Sequence, residues 1–338
     1  MINRPDHRAT LLVLGLFIFF LILLDLTLGS VRIAPLDIFR HLFGREVLSD
    51  QALIIITRFR IPRIVTALLA GAALPACGLQ MQTLFRNPLA GPYVLGISSG
   101  ASFGAAMVVM GFGTAGILAG WGIAVAAWVG AGLVMVLLLL VSVRIKEVTT
   151  ILILGIMFSS ALAAIISIMQ YFSGAAELKS FVIWSMGSLG NVTRTQLLIL
   201  IVVVLPGLVA TLFSVKMLNG LFLGEDYATT MGMPIVRARM TIFITTSLLA
   251  GTITAFCGPI GFIGIAVPHI TRFLMQRSDH RILLPATMLT GMVIMLLSDM
   301  ISQLPGSDRV LPINAVTSLI GIPVVIWLIL RGRKQALV

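Results

Sequence analysis

Leu68-Leu-Ala-Gly71, followed six residues later by Cys77-Gly78, returns as Leu248-Leu-Ala-Gly251, followed six residues later by Cys257-Gly258; the displacement is 180 positions throughout. Each copy lies in an apolar run, at about 61–84 and 239–257. Runs of this length read as membrane-spanning helices, because about 20 apolar residues cross a hydrocarbon core of about 30 Å. In the span order below, the copies fall in the second and seventh spans and so cross in opposite directions. That is the pattern of an inverted-topology repeat, common among transporters.

The rest of the chain agrees. Its 338 residues are 59% hydrophobic and only 10% charged, with mean hydropathy +1.10, whereas a soluble domain is about a quarter charged. Lipid is the solvent that such a surface requires. Apolar runs bounded by charge or turn residues give ten spans, near 10–29, 61–84, 93–112, 117–143, 149–172, 195–214, 239–257, 260–275, 282–303 and 312–330. The eighth is short and rich in Gly and Pro. The expected fold is therefore an all-α polytopic membrane protein of about ten transmembrane helices, one domain over 1–338, with a first external loop at about 30–60. Arg4 and Arg8 before the run Leu11 to Leu24 resemble a signal peptide, but no small-residue cleavage site follows. The run reads as an uncleaved first span.

The net charge of +11 does not mark a nucleic-acid binder, since the cations sit in small groups between apolar runs rather than in a stripe. With the N-terminus inside, 14 of the 23 basic residues face the cytoplasm, and Arg331-Gly-Arg-Lys334 anchors the C-terminus there too. Six arginines in the first external loop, Arg58 and Arg60 among them, need a separate explanation. Cys77 and Cys257 lie in apolar segments and imply neither a disulfide framework nor a metal cluster.

Three stretches carry functional information. Arg58-Phe-Arg-Ile-Pro-Arg63 runs on to Asn87-Pro-Leu-Ala-Gly-Pro92, where prolines break the chain before the small residues Gly96 to Ala101. Leu221 to Pro234 is too polar to span; Glu225 and Asp226 suit the first turn of a short helix, and Gly232 its stop. Tyr227 and Met231 then stand exposed as a docking knob, unless the segment is an ordinary connector. The third stretch is Gly258-Pro-Ile-Gly-Phe-Ile-Gly-Ile-Ala-Val-Pro-His-Ile-Thr-Arg272, with Asp279-His-Arg281 after it.

In order and spacing these stretches resemble the iron-chelate and vitamin B12 permease family of ATP-binding-cassette importers, over about Arg58 to Arg331. The resemblance implies a permease working as a homodimer in the bacterial inner membrane, with both termini cytoplasmic. Two ATPase subunits would use ATP and magnesium, and a periplasmic or lipid-anchored binding protein would deliver a metal chelate. It implies no cofactor, metal or catalytic residue in this chain, and no nucleic-acid partner. ATP must be bound elsewhere, since no G-x-x-x-x-G-K-[ST] is present. By similarity, Gly224, Glu225, Asp226, Ala228 and Gly232 belong to cytoplasmic coupling helices at about 215–238, and Asn87, Leu89, Thr149 and Thr150 to a cytoplasmic gate. Arg60 matches a position that docks a carboxylate of the binding protein, although headgroup anchoring also suits it. Relatives carry a second docking arginine where this chain has Gln303; Arg309 is the candidate replacement.

Asp299, deep in a late span, is a functional candidate by default, and an interhelical hydrogen bond accounts for it. Helix packing accounts for His269. The cargo implied is a ferric siderophore or haem, with cobalamin as a further possibility. An ion-coupled secondary transporter is the alternative, with Asp299 its lone coupling charge. An intramembrane enzyme is excluded by the absence of a G-x-S-x-G elbow or an H-E-x-x-H pair.

Overall fold

The computed structural model describes residues 6–29, 31, 33–35, 37, 49–111, 121–145, 147–303 and 310–335. Among them there is no strand. Helix α1 is His7–Thr27, capped by the Asp6 carboxylate, which accepts the Arg8 N–H. Helix α2 runs unbroken over Asp50–Leu84. Part of the expected external loop is thus helical, and Arg58 and Arg60 stand on that helix rather than in a loop. Pro62 has no N–H to offer, and the turn before it, Ile55–Arg60, widens to a π-helix in which the Ile61 N–H bonds back to the Ile56 carbonyl.

The remaining helices are α3 Ile97–Gly111, α4 Trp121–Arg144, α5 Val148–Phe172, α6 Ala175–Ser185, α7 Arg194–Phe213, α8 Val215–Leu223, α9 Glu225–Thr230, α10 Ile235–Cys257, α11 Ile263–Met275, α12 His280–Ser302 and α13 Ile313–Gln335. Seven are long and apolar enough to span, and three shorter apolar helices, at Ile97–Gly111, Ile263–Met275 and Ile313–Trp327, fall on the other three expected spans. Helix α6 lies where only a loop was expected.

The repeat governs the packing. Helix α2 lies against α12 and α11; its counterpart α10 lies against α4 and α3, the helices that the repeat exchanges for those two. Likewise α11 packs on α13 as α3 packs on α5. Both short helices begin after left-handed backbone, at Gly96 (φ +79°) before α3 and at Phe262 (φ +63°) before α11. Broken helices in corresponding places are a mark of transporter repeats.

Lipid offers no hydrophobic drive for helices to associate, so they approach through small residues. A Cβ added at Gly78 would lie 1.6 Å from the Gly264 carbonyl oxygen, and one at Gly291 would lie 2.0 Å from that of Gly71. The Gly71 oxygen is available because Pro75, four residues on, has no N–H for it. Gly78→Val must therefore push α2 off α11 and destabilise the bundle by at least about 1–3 kcal/mol. Gly15, with nothing within 4 Å of its added Cβ, tolerates the same change; thermal unfolding in detergent compares the two variants.

Candidate functional site

At one end of the bundle α8 and α9 form a small two-helix knob. Gly224 joins them with φ +114° and ψ 150°, open only to glycine, and Gly232 ends α9 at φ +76°. Glu225 and Asp226 occupy the first turn, as the sequence indicated. Glu225 is not an unattached handle, however. Arg239 of α10, almost fully buried, forks onto it with Nε–Oε1 at 3.0 Å and Nη2–Oε2 at 2.5 Å. Ala228 is buried beneath α9, whereas Phe222, Leu223, Tyr227 and Met231 project outward. The knob is thus a rigid platform with an apolar and aromatic face. Asp279, N-cap of α12, is held below the usual carboxylate range by the Arg281 N–H and the Asn219 amide of α8.

The expected gate residues sit in two places. In the turn from α2 to α3, the Asn87 side chain accepts the Leu89 N–H at 2.9 Å, leaving Leu89 exposed. At the start of α5, Thr149 is exposed and the Thr150 hydroxyl donates to Glu147 at 2.9 Å. Glu147 is the N-cap residue of α5. Further along α5, the hydroxyls of Ser159, Ser160 and Ser167 donate to carbonyls one turn back in their own helix.

At the opposite end of α2 lies a charged joint that the sequence disclosed only in part. Arg63 Nε sits 2.8 Å from both oxygens of Asp299. The Gln303 amide donates to Asp299 and to Asp25 of α1, each at 3.0 Å. The interhelical bond expected for Asp299 is thus an ion pair plus an amide bridge, and Gln303 is one of its struts. Asp25 was overlooked because one acid in a first span has no visible partner until α12 is beside it. It lines a cavity of about 280 Å³ with Arg60, Arg63 and Gln303, and its Oδ2 accepts from no described residue.

Arg60 departs from its expected presentation. It is only 7% exposed, and its guanidinium donates to the carbonyls of Leu26 and Val31, closing the C-terminal end of α1. Arg58, two residues earlier in the π-helical turn, is exposed instead. Arg309 lies outside the described residues. His269 packs as expected, with Nε2 2.7 Å from the Pro88 carbonyl, and no group of three metal-ligating side chains occurs among the described residues.

Ten apolar helices arranged as an inverted repeat, with an exposed knob at one end, define a membrane permease. Comparisons place it. The model of the FecCD transport family matches residues 16–331. The vitamin B12 import system permease BtuC of Klebsiella pneumoniae subsp. pneumoniae is 38% identical over 99% of this chain and 97% of its own, and BtuC of Salmonella typhi is 36% identical over 96% and 95%. A solved inward-facing ABC transporter, assigned to the metal-chelate type, superposes with TM-score 0.83 at 29% identity, covering 96% of this chain and 99% of that one. The chain belongs to the FecCD transport family. It is a permease subunit of an ABC importer and not an enzyme; ATP is hydrolysed by a separate subunit.

Removing one member of a buried pair strands the other, at a cost of about 3–5 kcal/mol, whereas apolar replacement of both is near neutral. Arg63→Met and Asp299→Leu should each lower the unfolding temperature in detergent, and the double variant should recover most of the loss.

Proposed function

We propose that this chain carries a metal chelate from a soluble binding protein through the inner membrane into the bacterial cytoplasm, and that the chelate is cobalamin. What supports the cargo is that the vitamin B12 permeases match at 36–38% identity over nearly their whole length. A ferric siderophore or haem is the second reading, kept by the likeness to a transporter of metal-chelate type. Both termini are cytoplasmic, in line with the basic tail at Arg331 to Lys334. A second copy of the chain completes the pathway as a homodimer.

In this reading the α8–α9 knob of each copy, with Gly224, Glu225, Asp226, Ala228 and Gly232, enters a cleft on one of two ATPase subunits, which bind the ATP and magnesium. The observation that carries it is the pairing of an outward Tyr227–Met231 face with a first turn whose Glu225 carboxylate is held from behind by Arg239. A surface that must transmit force needs that stiffness. Asn87, Leu89, Thr149 and Thr150 form the cytoplasmic gate. At the far end Arg58, exposed, meets a carboxylate of the binding protein, with Arg309 the second candidate, while Arg60 ties the helix that presents Arg58 to the end of α1.

In proteoliposomes containing the permease, its ATPases and its binding protein, uptake of labelled cobalamin should require ATP and persist with a proton uncoupler. Uptake that collapses with the uncoupler and ignores ATP returns the chain to the secondary carriers. Competition by ferric siderophore or haem, with cobalamin inert, transfers the cargo to the second reading. Arg58→Glu should weaken capture of the binding protein by about tenfold or more, as loss of a charge-assisted contact of about 1.5–3 kcal/mol predicts. Arg60→Glu should instead lower the stability of the permease itself, read by thermal unfolding.

A further inference from the structure

The knob and the α2–α3 turn are joined by a run of hydrogen-bonded side chains, exposed at Asp279 and buried from His280 onward. We infer that Asn219, His280, Thr83, Gln82 and His269 form the mechanical linkage by which movement of the coupling helices reaches the gate turn at Asn87 to Leu89. The inference rests on the coupling and gate roles proposed above.

The chain starts on α8. The Asn219 amide nitrogen donates to Asp279 at 2.8 Å, which turns its oxygen toward His280. That oxygen takes both the His280 backbone N–H at 2.9 Å and ring Nδ1 at 2.8 Å. A carbonyl oxygen only accepts, so the ring proton is on Nδ1, and Nε2 accepts from the Thr83 hydroxyl at 2.9 Å. Phe222, also on α8, packs edge-on against the same ring, 5.9 Å between centroids.

Thr83 and Gln82 are neighbours in the last turn of α2 but face different helices. Gln82 accepts from Arg272 at 2.7 Å and donates to the Ile265 carbonyl at 3.2 Å, both on α11. On α11, His269 donates Nε2–H to the Pro88 carbonyl at 2.7 Å. The Gln82 carbonyl takes the Asn87 N–H at 3.2 Å. The gate turn is therefore held from behind by α2, through the Gln82 carbonyl, and from in front by α11, through His269, while the Gln82 side chain ties those two helices together. His280, Thr83, Gln82 and His269 are all at least nine-tenths buried.

Thr83 is the joint that can change. Its hydroxyl has one proton and two acceptors in reach, His280 Nε2 and the Leu79 carbonyl at 2.8 Å. That proton can serve only one of them at a time, so Thr83 is shared between its own helix and the His280 ring, and a shift of α12 against α2 changes which acceptor it serves.

The test is cargo transported per ATP hydrolysed by the complete complex in proteoliposomes. Thr83→Val and Asn219→Ala should each lower that ratio by about fivefold while hydrolysis continues, as loss of one hydrogen bond of about 1 kcal/mol predicts. Because the bonds act in series, the double variant should be no worse than either single one, and Thr83→Ser should restore the ratio. A ratio unchanged from the native complex, or additive losses in the double variant, overturns the linkage. If Thr83→Val does not assemble, Asn219→Ala, altered at a partly exposed position, decides by the same criterion. A native complex that does not transport on ATP overturns the importer reading instead, so the two failures are distinct.

Discussion

Backbone touching backbone at Gly78 and Gly264, and at Gly71 and Gly291, is the contact on which the bundle depends. A protein dissolved in lipid gains little by hiding one apolar surface against another, because lipid tails receive that surface equally well. What remains is close dispersion contact and the polar bonds that close approach permits. Helix α2 shows the consequence: 89% of its most apolar window is buried inside the chain, against 17% for α1 and α5. It is the axle of the fold, and α12, α11, α10 and α7 gather around it.

Around that axle the polar side chains sit at its two ends. One end holds Arg63, Asp299, Gln303, Asp25 and Arg60, locking α1, α2 and α12 into one body. The other holds Gln82, Thr83, His269, Arg272 and His280, where every joint but the Arg272 contact joins neutral groups. Ion pairs resist rearrangement, while neutral hydrogen bonds exchange partners at a cost of about 1 kcal/mol. The bundle is thus ion-paired at the end that bears Arg58, whereas at the other end an ion pair fixes the knob itself and mostly neutral bonds link α12, α2 and α11 behind it.

The spans were legible because length and hydropathy are properties of each run by itself. The inverted repeat was legible too: Leu-Leu-Ala-Gly sets Gly71 against α12 and Gly251 against α4, the helices the repeat exchanges, whereas Gly78 lies within α2 and Gly258 ends α10. What could not be read were features set by a partner distant in the chain. Arg60 reads as an external cation until α1 brings the Leu26 and Val31 carbonyls to it. Asp25 reads as an isolated acid until Gln303, 278 residues away, arrives. Residues 50–60 look like loop because of their arginines and Pro62, yet a π-turn carries the helix through. The short helix and its ends were legible from Glu225, Asp226 and Gly232, but the grip of Arg239 on Glu225 depends on the tertiary turn between α9 and α10.

In the proposed importer the α8–α9 knob faces the cytosol as the surface an ATPase grips. Cys77 and Cys257 are buried at 0% and 2% exposure, so a single reporter at Met231→Cys can be read above the native thiols. A membrane-impermeant maleimide should label it in inverted vesicles and not in right-side-out ones, and bound ATPase should suppress that labelling. Labelling from the outside, or labelling that the ATPase leaves unchanged, contradicts the account.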